Sequence, residues 1–494
     1  MGISAPQEVT SFIDGAAVSG GAGPLLDIIY PASGERVSQL READAAEVGR
    51  AVTAARRAFD HGPWPKLATE ARQEQLRRLH DAILAAAEEL AYLECLSTGL
   101  VLRELRDRHM ARAAYNFRFF AEFIGQVSGQ VFSQNPAYHT FTVREPVGVA
   151  GLIAPWNAPV ALASMKVAAA IAFGNTCVLK TSEQTPLALA RFVEVLHEAG
   201  LPPGVVNLVN GRGPVTGQAL VDHPGVDLVS FTGGTETGRA IMSAAGRRLV
   251  PTTMELGGKS ANIVFESADI DRALDGALLG IFSNNGQQCL AGSRILVQRN
   301  IADDFIGRFV ERARRIRVGD PMADETELGP LASAPHRERV LSYAGIAAGE
   351  GGRLLTGGKA HPDFASGFYV QPTAVLAPSN DSRVCQEEIF GPFASFLTFE
   401  TVEEAIAIAN ASKFGLVSYV WSDDLPTVMR ATREIRAGVV WVNSPMMREL
   451  RAPFGGYKES GVGREGGDAC LQFYTEPKTV TIPTAPLGLR QLGR

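Results

Sequence analysis

Cys289 is the residue whose position in this sequence most directly suggests covalent chemistry. It follows a glycine-containing turn and opens a run of small residues in the segment 285–294, which reads NGQQCLAGSR. A thiolate that such a turn presents to a cleft can attack a carbonyl carbon and carry the acyl group as a thioester. The local sequence also fits a buried small apolar side chain, which is the commoner state of an intracellular cysteine.

Three further segments place polar or rigid residues directly after predicted strands. Asn157 ends the segment GLIAPWN, Glu255 lies in MELGGKS, and the segment 387–392 reads EEIFGP. Loops that follow the strands of an open parallel sheet are where ligands bind. From the residues alone, Asn157 could instead cap the helix that starts near Val160, and Glu255 could be an ordinary strand-end carboxylate.

Alternating patterns supply the elements that would position these residues. Apolar residues at helical spacing run from about 44 to 124, and alternation over 127–144 indicates strands. From 147 to about 266, short apolar runs alternate with helical segments, which predicts a mostly parallel sheet covered on both faces. A second alternating region follows over about 270–443. The last strand-like run, 479–482, could pair with the strands of 127–144 or with another subunit.

The helix predicted over 186–199 shows how such boundaries are inferred. Thr185 can cap its N-terminus, Pro186 suits the first helical position, and Gly200 can end it.

Composition excludes several classes of function. The chain has 494 residues, which predicts two or three domains. Its net charge of -6 makes nucleic acid an improbable partner. No signal peptide is evident, and the most apolar stretch, 160–173, contains Lys166 and is too short to span a bilayer. The five cysteines are widely spaced, with no CxxC pair or Cys/His cluster, so we expect reduced thiols in the cytoplasm and no metal site.

Together with FTGGT at 231–235 and PFGGYK at 453–458, these segments resemble the aldehyde dehydrogenase superfamily, in the family's order over nearly the whole chain. The resemblance implies an α/β fold with a Rossmann-like cofactor domain, a second α/β catalytic domain and a small β oligomerisation extension. It also implies a homodimer or homotetramer. The implied limits are 1–125 and 146–258 for the NAD-binding domain, 259–445 for the catalytic domain, and 126–145 and 474–486 for the oligomerisation strands.

The same resemblance implies a role for each candidate catalytic residue. Cys289 attacks the aldehyde to form a thiohemiacetal, whose oxyanion is stabilised by the Asn157 side chain and the Cys289 backbone N–H. Loss of hydride leaves a thioester, and Glu255 is the general base for the water that hydrolyses it. Lys166 and Glu465 are implied as a proton path from Glu255.

The resemblance also implies an NAD site, although the stretch GRGPVTG at 211–217 is one residue too long for a GxGxxG motif. Gly233 and Gly234 would open a helix near the phosphates, and Lys180 and Glu183 would reach the adenosine ribose. Glu183 favours NAD because a carboxylate there repels the 2′-phosphate of NADP, but relatives with both residues can use either cofactor. The remaining implied cofactor contacts are Ile153, Pro155, Trp156, Gly213, Phe231, Leu256, Glu388 and Phe390, of which Phe390 could simply be a core residue.

Two arginine pairs bear on the substrate. Arg108 and Arg112 are four residues apart on one face of a predicted helix, and Arg448 and Arg451 precede the turn that contains Phe454. Both neighbourhoods resemble those of muconic-semialdehyde dehydrogenases, a group that acts on 2-hydroxymuconic, 2-aminomuconic and 5-carboxymethyl-2-hydroxymuconic semialdehydes. This resemblance implies that the arginines, with Phe454, contact a substrate carboxylate, which a guanidinium binds bidentately.

Other substrates and functions stay open at this point. The arginines could be solvated, or paired with Glu104, Glu122 and Glu449, and the segment SPMM at 444–447 replaces polar residues expected in that group. A neutral aromatic or aliphatic aldehyde, or betaine aldehyde, is the alternative substrate. A CoA-acylating dehydrogenase, a non-catalytic scaffold protein and a cofactor-free thiol esterase are the alternative functions. The presence of Glu255 and of the cofactor segments argues against all three.

Overall fold

Strands and helices alternate along most of the chain in the computed structural model, which describes residues 4–18 and 22–493. The strands are β1 Glu8–Val9, β2 Phe12–Ile13, β3 Ala16–Ala17, β4 Leu25–Ile29, β5 Arg36–Arg41, β6 Val131–Phe132, β7 Tyr138–Pro146, β8 Val149–Ile153, β9 Thr176–Thr181, β10 Val206–Asn210, β11 Leu228–Thr232, β12 Thr252–Glu255, β13 Ala261–Val264, β14 Arg294–Gln298, β15 Arg353–Thr356, β16 Thr373–Leu376, β17 Phe393–Phe399, β18 Phe414–Gly415, β19 Val417–Trp421, β20 Val439–Val442, β21 Tyr457–Lys458, β22 Gly461–Val462 and β23 Thr475–Pro483.

The helices account for the region predicted to be helical and for the segments between strands. They are α1 Ala45–Asp60, α2 Thr69–Ala85, α3 Ala87–Thr98, α4 Leu102–Glu104, α5 Ala111–Phe123, α6 Pro159–Ala172, α7 Leu187–Glu198, α8 Gln218–Asp222, α9 Thr235–Gly246, α10 Ile270–Phe282, α11 Arg299–Arg314, α12 Ala334–Gly349, α13 Arg383–Gln386, α14 Val402–Asn410, α15 Leu425–Glu434 and α16 Gly467–Tyr474. Two π-helical turns, Leu105–Met110 and Gly213–Gly217, interrupt them.

The first large sheet has eight strands in the order β22-β12-β11-β8-β9-β10-β2-β3. Its five central strands, β12-β11-β8-β9-β10, are parallel to one another. Every residue of β8, β9 and β10 is buried, as expected where helices cover both faces of a parallel sheet. The predicted mostly parallel sheet is confirmed.

The second large sheet has seven strands in the order β15-β16-β17-β14-β13-β19-β20, and all neighbours are parallel except β15 and β16. Apolar clusters lie on both of its faces. The two large sheets therefore each have their own helix-covered core, as the predicted α/β fold class requires. The limits of the predicted domains stay a prediction.

A third sheet, β23-β7-β6, is antiparallel and has three strands. Strand β23 pairs with β7 of the same chain over nine residue pairs. Two partners were considered for the last strand-like run, 479–482, and the structure shows that it pairs with the same chain. The strands predicted to begin at residue 127 begin later, at Val131, where β6 covers two residues.

The predicted N-cap of α7 is wrong. The helix starts at Leu187, Pro186 occupies the cap position without a side-chain hydrogen bond, and the buried Thr185 hydroxyl has no hydrogen-bond partner in the described chain. Gly200 follows the end of the helix with a φ of 89°, as expected for a terminating glycine.

Two further findings concern the described residues, 4–18 and 22–493. No helix there has the length and apolar character that crossing a membrane requires. No three His, Cys, Asp or Glu side chains there lie close enough together to hold a metal ion.

Candidate active site

The carboxyl ends of parallel strands bring three of the predicted site segments to one edge of the first sheet. Strand β8 ends at Ile153, four residues before Asn157; strand β11 ends just before Gly233; and β12 ends on Glu255 itself. Because β8, β11 and β12 are parallel neighbours, these ends meet at the same edge.

A strained turn presents Cys289 to this edge. The turn Ser283–Gly286 contains two consecutive asparagines in the left-handed region, Asn284 and Asn285, with φ of 56° and 55°. The Asn285 side chain donates to Gly99 O and Pro330 O, each at 2.9 Å, and accepts from Gly329 N at 2.8 Å. Cys289 is half-buried, whereas the four other cysteines are buried. Asparagine is the non-glycine residue best suited to this backbone, so the Asn-Asn pair is the signal that could have predicted the turn.

Asn157 lies in contact with the turn that carries Cys289. Its Nδ2 donates to Gln287 O at 2.9 Å, and its own carbonyl accepts from Asn284 Nδ2 at 2.8 Å. It does not cap α6, because Ala158 occupies the cap position and Glu94 Oε2 accepts from Val160 N at 3.0 Å instead. The amide is therefore held beside the cysteine turn, with one Nδ2 hydrogen left over for another acceptor.

Burial sets the protonation of Cys289 and Glu255. It raises the pKa of the Cys289 thiol to about 12, with smaller contributions from Glu388 and Glu255, while Arg112 opposes the rise. Burial, and next the charge of Glu465, raises the pKa of Glu255 well above its ordinary value. Glu255 Oε1 is buried and has no hydrogen-bond partner in the described chain. A carboxylate with a raised pKa is a better proton acceptor near neutral pH than an ordinary one.

A buried polar chain lies near this carboxylate, close enough for Glu465 and Lys166 to affect its pKa. Lys166 Nζ donates to Glu465 Oε1 at 2.7 Å and to Ser230 Oγ at 2.9 Å, and Thr253 Oγ1 donates to Ser230 Oγ at 3.0 Å. Burial would raise the pKa of Glu465, but Lys166, followed by the arginines, holds it below the ordinary value. Two neighbouring carboxyl groups thus have pKa values that are driven apart, an arrangement typical of acid–base sites. Ser230 was not singled out in the sequence.

Three aromatic rings pack together around two of the predicted cofactor contacts, Trp156 and Phe390. Trp156 lies 5.2 Å from Phe390 and 5.3 Å from His336, measured between ring centroids. Phe390 has a φ of 63°, and its carbonyl is held by His336 Nε2 at 2.7 Å. Pro155 precedes this group and is half-buried. The sequence analysis missed His336, since no local pattern around residue 336 indicates its contacts.

Glu388 lies against the glycines that follow Glu255. Its Oε1 accepts from Gly258 N at 2.8 Å, and a Cβ added to Gly257 would come within 2.2 Å of its Oε2. Burial raises its pKa, and the Gly258 hydrogen bond opposes that rise. Glycine at 257 is therefore required for the carboxylate to lie here.

The residues predicted around the phosphates and ribose of the cofactor border open space. A Cβ added to Gly213 or Gly234 would meet no atom within 4 Å. Gly234 is the N-cap of α9, which has no side-chain cap, so the first N–H groups of that helix can bind an anion. Lys180 Nζ lies 3.8 Å from Glu183 Oε2. These features fit a dinucleotide.

Four other predicted cofactor residues form the wall beneath the region that fits the dinucleotide. They are Ile153, Phe231, Gly233 and Leu256. Ile153, Phe231 and Leu256 belong to one buried apolar cluster. A Cβ added to Gly233 would come within 2.4 Å of the Phe231 ring, so only glycine allows the chain to cross this ring.

The structure separates the two members of each arginine pair. Arg108 is exposed and donates to Glu104 at 2.8 Å, and the π-helical turn that contains it breaks the common helical face predicted with Arg112. Arg451 is exposed and binds both oxygens of Glu449. The pairing that was the alternative for these two arginines is therefore the observed one.

Arg112 and Arg448, by contrast, are half-buried and lie close enough together for each charge to affect the other. Burial, and next the charge of Arg448, lowers the pKa of Arg112 to about 10. The buried Arg112 Nε and the Arg448 Nε and Nη2 have no hydrogen-bond partner among the described residues. The guanidinium of Arg448 stacks 4.0 Å from the centroid of the Phe454 ring. Phe454 packs with Cys289 and Met446 against one apolar cluster, so the arginines and the cysteine border the same region.

Comparison with known proteins agrees with this geometry. Residues 18–480 match the model of the aldehyde dehydrogenase family. The chain is 41% identical to a 2-hydroxymuconic semialdehyde dehydrogenase of Pseudomonas sp. (strain CF600), over 96% of this chain and 99% of that one. It is 42% identical to a betaine aldehyde dehydrogenase of Bacillus subtilis (strain 168), over 97% and 98%. The NAD+ complex of an aldehyde dehydrogenase from Bacillus cereus superposes with a TM-score of 0.95 at 40% identity, covering 97% of each chain.

Proposed function

This chain belongs to the aldehyde dehydrogenase family, and from that premise we propose that its substrate is a semialdehyde bearing a carboxylate, oxidised through a thioester on Cys289. The NAD-dependent oxidation of an aldehyde is the activity of the family; the residue roles and the substrate are the proposal. The observation that carries it is the pair of half-buried arginines, Arg112 and Arg448, whose buried Nε groups, with Nη2 of Arg448, lack hydrogen-bond partners in the described chain.

The covalent step starts with transfer of the Cys289 proton to Glu255. The raised pKa of the thiol means that it is protonated at rest, and the raised pKa of Glu255 makes this carboxylate able to take the proton. The sulfur then bonds to the aldehyde carbon, and the aldehyde oxygen gains the negative charge. The free Nδ2 hydrogen of Asn157 and the Cys289 backbone N–H stabilise that oxyanion.

Hydrolysis completes the reaction. Bound NAD supplies the acceptor for the hydride, and the residues around Gly234 and Trp156 would hold it. Before the thioester is hydrolysed, Glu255 releases the proton that it took from Cys289 toward Glu465 and Lys166, whose 2.7 Å hydrogen bond continues inward to Ser230. The ionised Glu255 then removes a proton from water, whose oxygen bonds to the thioester carbon while the carbon–sulfur bond breaks. The acid leaves, and the Cys289 thiolate takes the proton back from Glu255.

The electrostatics of the arginine pair distinguish between candidate substrates. An unpaired buried donor costs about 1–3 kcal/mol, and a carboxylate can satisfy several such donors at once. A neutral aldehyde would leave them unpaired, and the trimethylammonium group of betaine aldehyde would be repelled by two guanidinium groups. The identities of 41% and 42% to the semialdehyde and betaine aldehyde dehydrogenases do not discriminate between these substrates, so the choice rests on the arginines.

Arg112→Met and Arg448→Met test this choice. We expect each to raise the KM for 2-hydroxymuconic semialdehyde about tenfold or more, since a charged hydrogen bond is lost, and to change the KM for benzaldehyde by less than about twofold. Arg451→Met is the matched control, because Arg451 is exposed and paired with Glu449. If both test variants kept the wild-type KM for the semialdehyde, the carboxylate would not bind here.

We also propose that the three-stranded sheet joins copies of this chain into a dimer or tetramer. The register groups Val131, Phe141, Val143, Val480 and Ile482 on one face, because directly paired residues of antiparallel strands share a face; His139 and Lys478 lie beside them on that face. Val131 is 74% exposed and Ile482 is 50% exposed. Exposed apolar side chains grouped in this way on a small sheet favour burial against a second copy.

We propose the cytoplasm as the location. All five cysteines are free, and four are buried. Thiols persist in this state in a reducing compartment.

A further inference from the structure

Two aromatic side chains of the second large sheet pack against each other beside the site. Tyr419 lies on β19 and Trp441 on β20, and the register of these parallel strands pairs the two residues directly. Their ring centroids are 5.1 Å apart, and both side chains are buried. The sheet therefore fixes the positions of both rings.

The Tyr419 hydroxyl holds the turn that carries Cys289. It donates to Leu290 O at 2.7 Å. Cys289 and Leu290 are the central residues of this turn, which Ala291 N closes by donating to Gln288 O at 3.1 Å. Burial, and next the charge of Cys289, raises the pKa of Tyr419, so its hydroxyl keeps the proton that makes this hydrogen bond.

The segment that follows this turn passes closely over the Tyr419 ring. A Cβ added to Gly292 would come within 3.2 Å of Tyr419 Cδ2 and 3.1 Å of Asn262 Cβ. Gly292 N also donates to Gly280 O of α10 at 3.1 Å. The chain after Cys289 is therefore held between α10 and the tyrosine of β19.

The Trp441 indole holds the loop that carries Arg448. Its Nε1 donates at 2.7 Å to Met447 O, which belongs to the peptide group that joins Met447 to Arg448. Met446, just before, has a φ of 53°, an uncommon backbone for a residue with a long side chain. The Phe454 ring under the Arg448 guanidinium packs against the same apolar cluster as the two aromatic side chains.

We propose that Tyr419 and Trp441 are positioning residues that together set the spacing between the Cys289 sulfur and the Arg448 guanidinium. The inference rests on the proposed function, in which the sulfur attacks the aldehyde carbon and Arg448 binds the carboxylate of the same molecule. Because the two rings pack against each other, the two loops share one support. The enzyme should therefore favour semialdehydes in which one particular length separates the aldehyde from the carboxylate.

A series of straight-chain substrates measures this spacing. Succinic, glutaric and adipic semialdehydes share both end groups and differ in length, and butanal, pentanal and hexanal are their neutral counterparts. We expect the wild type to favour one semialdehyde by about tenfold in kcat/KM beyond the length preference among the neutral aldehydes. No such additional preference in the wild type would overturn the proposal.

Trp441→Phe keeps an aromatic ring and removes the donor to Met447 O. The variant should reduce the additional length preference to about twofold, mainly by raising the KM for the favoured semialdehyde, because Arg448 is then less firmly placed. Its kcat/KM for the neutral aldehydes should stay within about twofold of the wild type, since these substrates have no carboxylate. An equal loss for semialdehydes and neutral aldehydes would show a general structural defect and overturn the role of Trp441.

Trp421→Phe is the matched control. Trp421 is buried in the same apolar cluster, lies two residues after Tyr419 on β19, and donates to Asn262 Oδ1 at 2.9 Å. This variant therefore also loses one buried indole hydrogen bond, but its donor does not hold either loop. We expect a Tm similar to that of Trp441→Phe and the wild-type length preference. The same change of preference in both variants would overturn the proposal.

Tyr419→Phe removes only the hydroxyl at the other end of the spacing. It should lower kcat/KM about tenfold for neutral aldehydes and semialdehydes alike, because every substrate reacts with Cys289, and it should also reduce the length preference. A wild-type kcat/KM for the neutral aldehydes would overturn the role of Tyr419.

Arg448→Met separates this inference from the proposed function. If that variant kept the wild-type KM for the semialdehydes, the carboxylate site would be wrong and this inference would fail with it. If Arg448→Met raised that KM while Trp441→Phe kept the wild-type length preference, the proposed function would stand and only this inference would be overturned.

Discussion

At the scale of single residues, the sequence named most of the groups that the structure brings together, but not their environments. Asn157 and Glu255 were predicted from their places after apolar strands, and both lie at the sheet edge near the cysteine turn. The opposed pKa shifts of Glu255 and Glu465 depend on burial and on Lys166, which is distant in the sequence from both. Spacing in the sequence could not show that Arg108 and Arg451 differ from Arg112 and Arg448, because exposure and ion pairing are set by tertiary structure.

Glu255→Gln tests the role of the raised carboxyl pKa. Only the ionised form accepts a proton, so the wild-type rate should rise with pH through this raised pKa. The variant should lose that limb of the pH profile and turn over about 10²–10⁴-fold more slowly, measured by NADH formation, because both the Cys289 thiol and the water lose their proton acceptor. A wild-type rate in the variant would assign both proton transfers to another group.

The same carboxyl group affects stability in a defined direction. A folded-state pKa above the unfolded value means that the folded chain binds the proton more tightly, so this stabilisation is complete at low pH and is lost as pH rises through the folded pKa. Glu255→Gln cannot ionise. Its free energy of unfolding should therefore exceed that of the wild type by a margin that grows as the pH rises above the ordinary pKa of a glutamate. Urea titrations at several pH values measure this difference, and parallel curves would contradict it.

At the scale of elements, strands were easier to predict than turns and caps. Buried parallel strands are rich in apolar residues, and β8 to β11 lie in the region 147–266, where short apolar runs predicted strands. The start of α7 was misplaced because capping depends on backbone angles that residue type alone does not determine. The turn before Cys289 was recognised only as a turn, since its anchors, Gly99 and Pro330, come from distant segments.

Asn285→Ala tests how that turn is held. Alanine loses three buried hydrogen bonds and is strained at a φ of 55°, so we expect a loss of about 3 kcal/mol in unfolding free energy and faster alkylation of Cys289 by iodoacetamide. Asn285→Gly is the matched variant, because it removes the same hydrogen bonds without the strain. A glycine variant as stable as the wild type would show that the hydrogen bonds contribute nothing.

At the scale of the whole molecule, the two large α/β sheets were predicted from the sequence. The third, three-stranded sheet is the part of the molecule that we propose contacts a second chain. The sequence left open whether the last strand pairs within the chain, and the observed pairing of β23 with β7 answers that question. That pairing places an apolar set of side chains on one face and threonines such as Thr140, Thr142 and Thr481 on the other. Alternation alone could not reveal which residues share a face, because the register joins segments more than 330 residues apart.

Ile482→Lys and Thr481→Lys form a matched pair for the proposed assembly. Both residues are exposed on β23, yet consecutive residues of a strand point to opposite faces, so only Ile482 lies on the apolar face. Burying a lysine charge in an interface is costly, and we therefore expect Ile482→Lys to shift the mass measured by light scattering toward smaller species. Thr481→Lys should keep the wild-type mass, and its secondary structure and Tm should match those of Ile482→Lys. Because the three-stranded sheet contributes none of the proposed catalytic groups, a smaller Ile482→Lys species that still forms NADH would show that one chain contains a complete site. The same mass in both variants would place the contact between subunits on another surface.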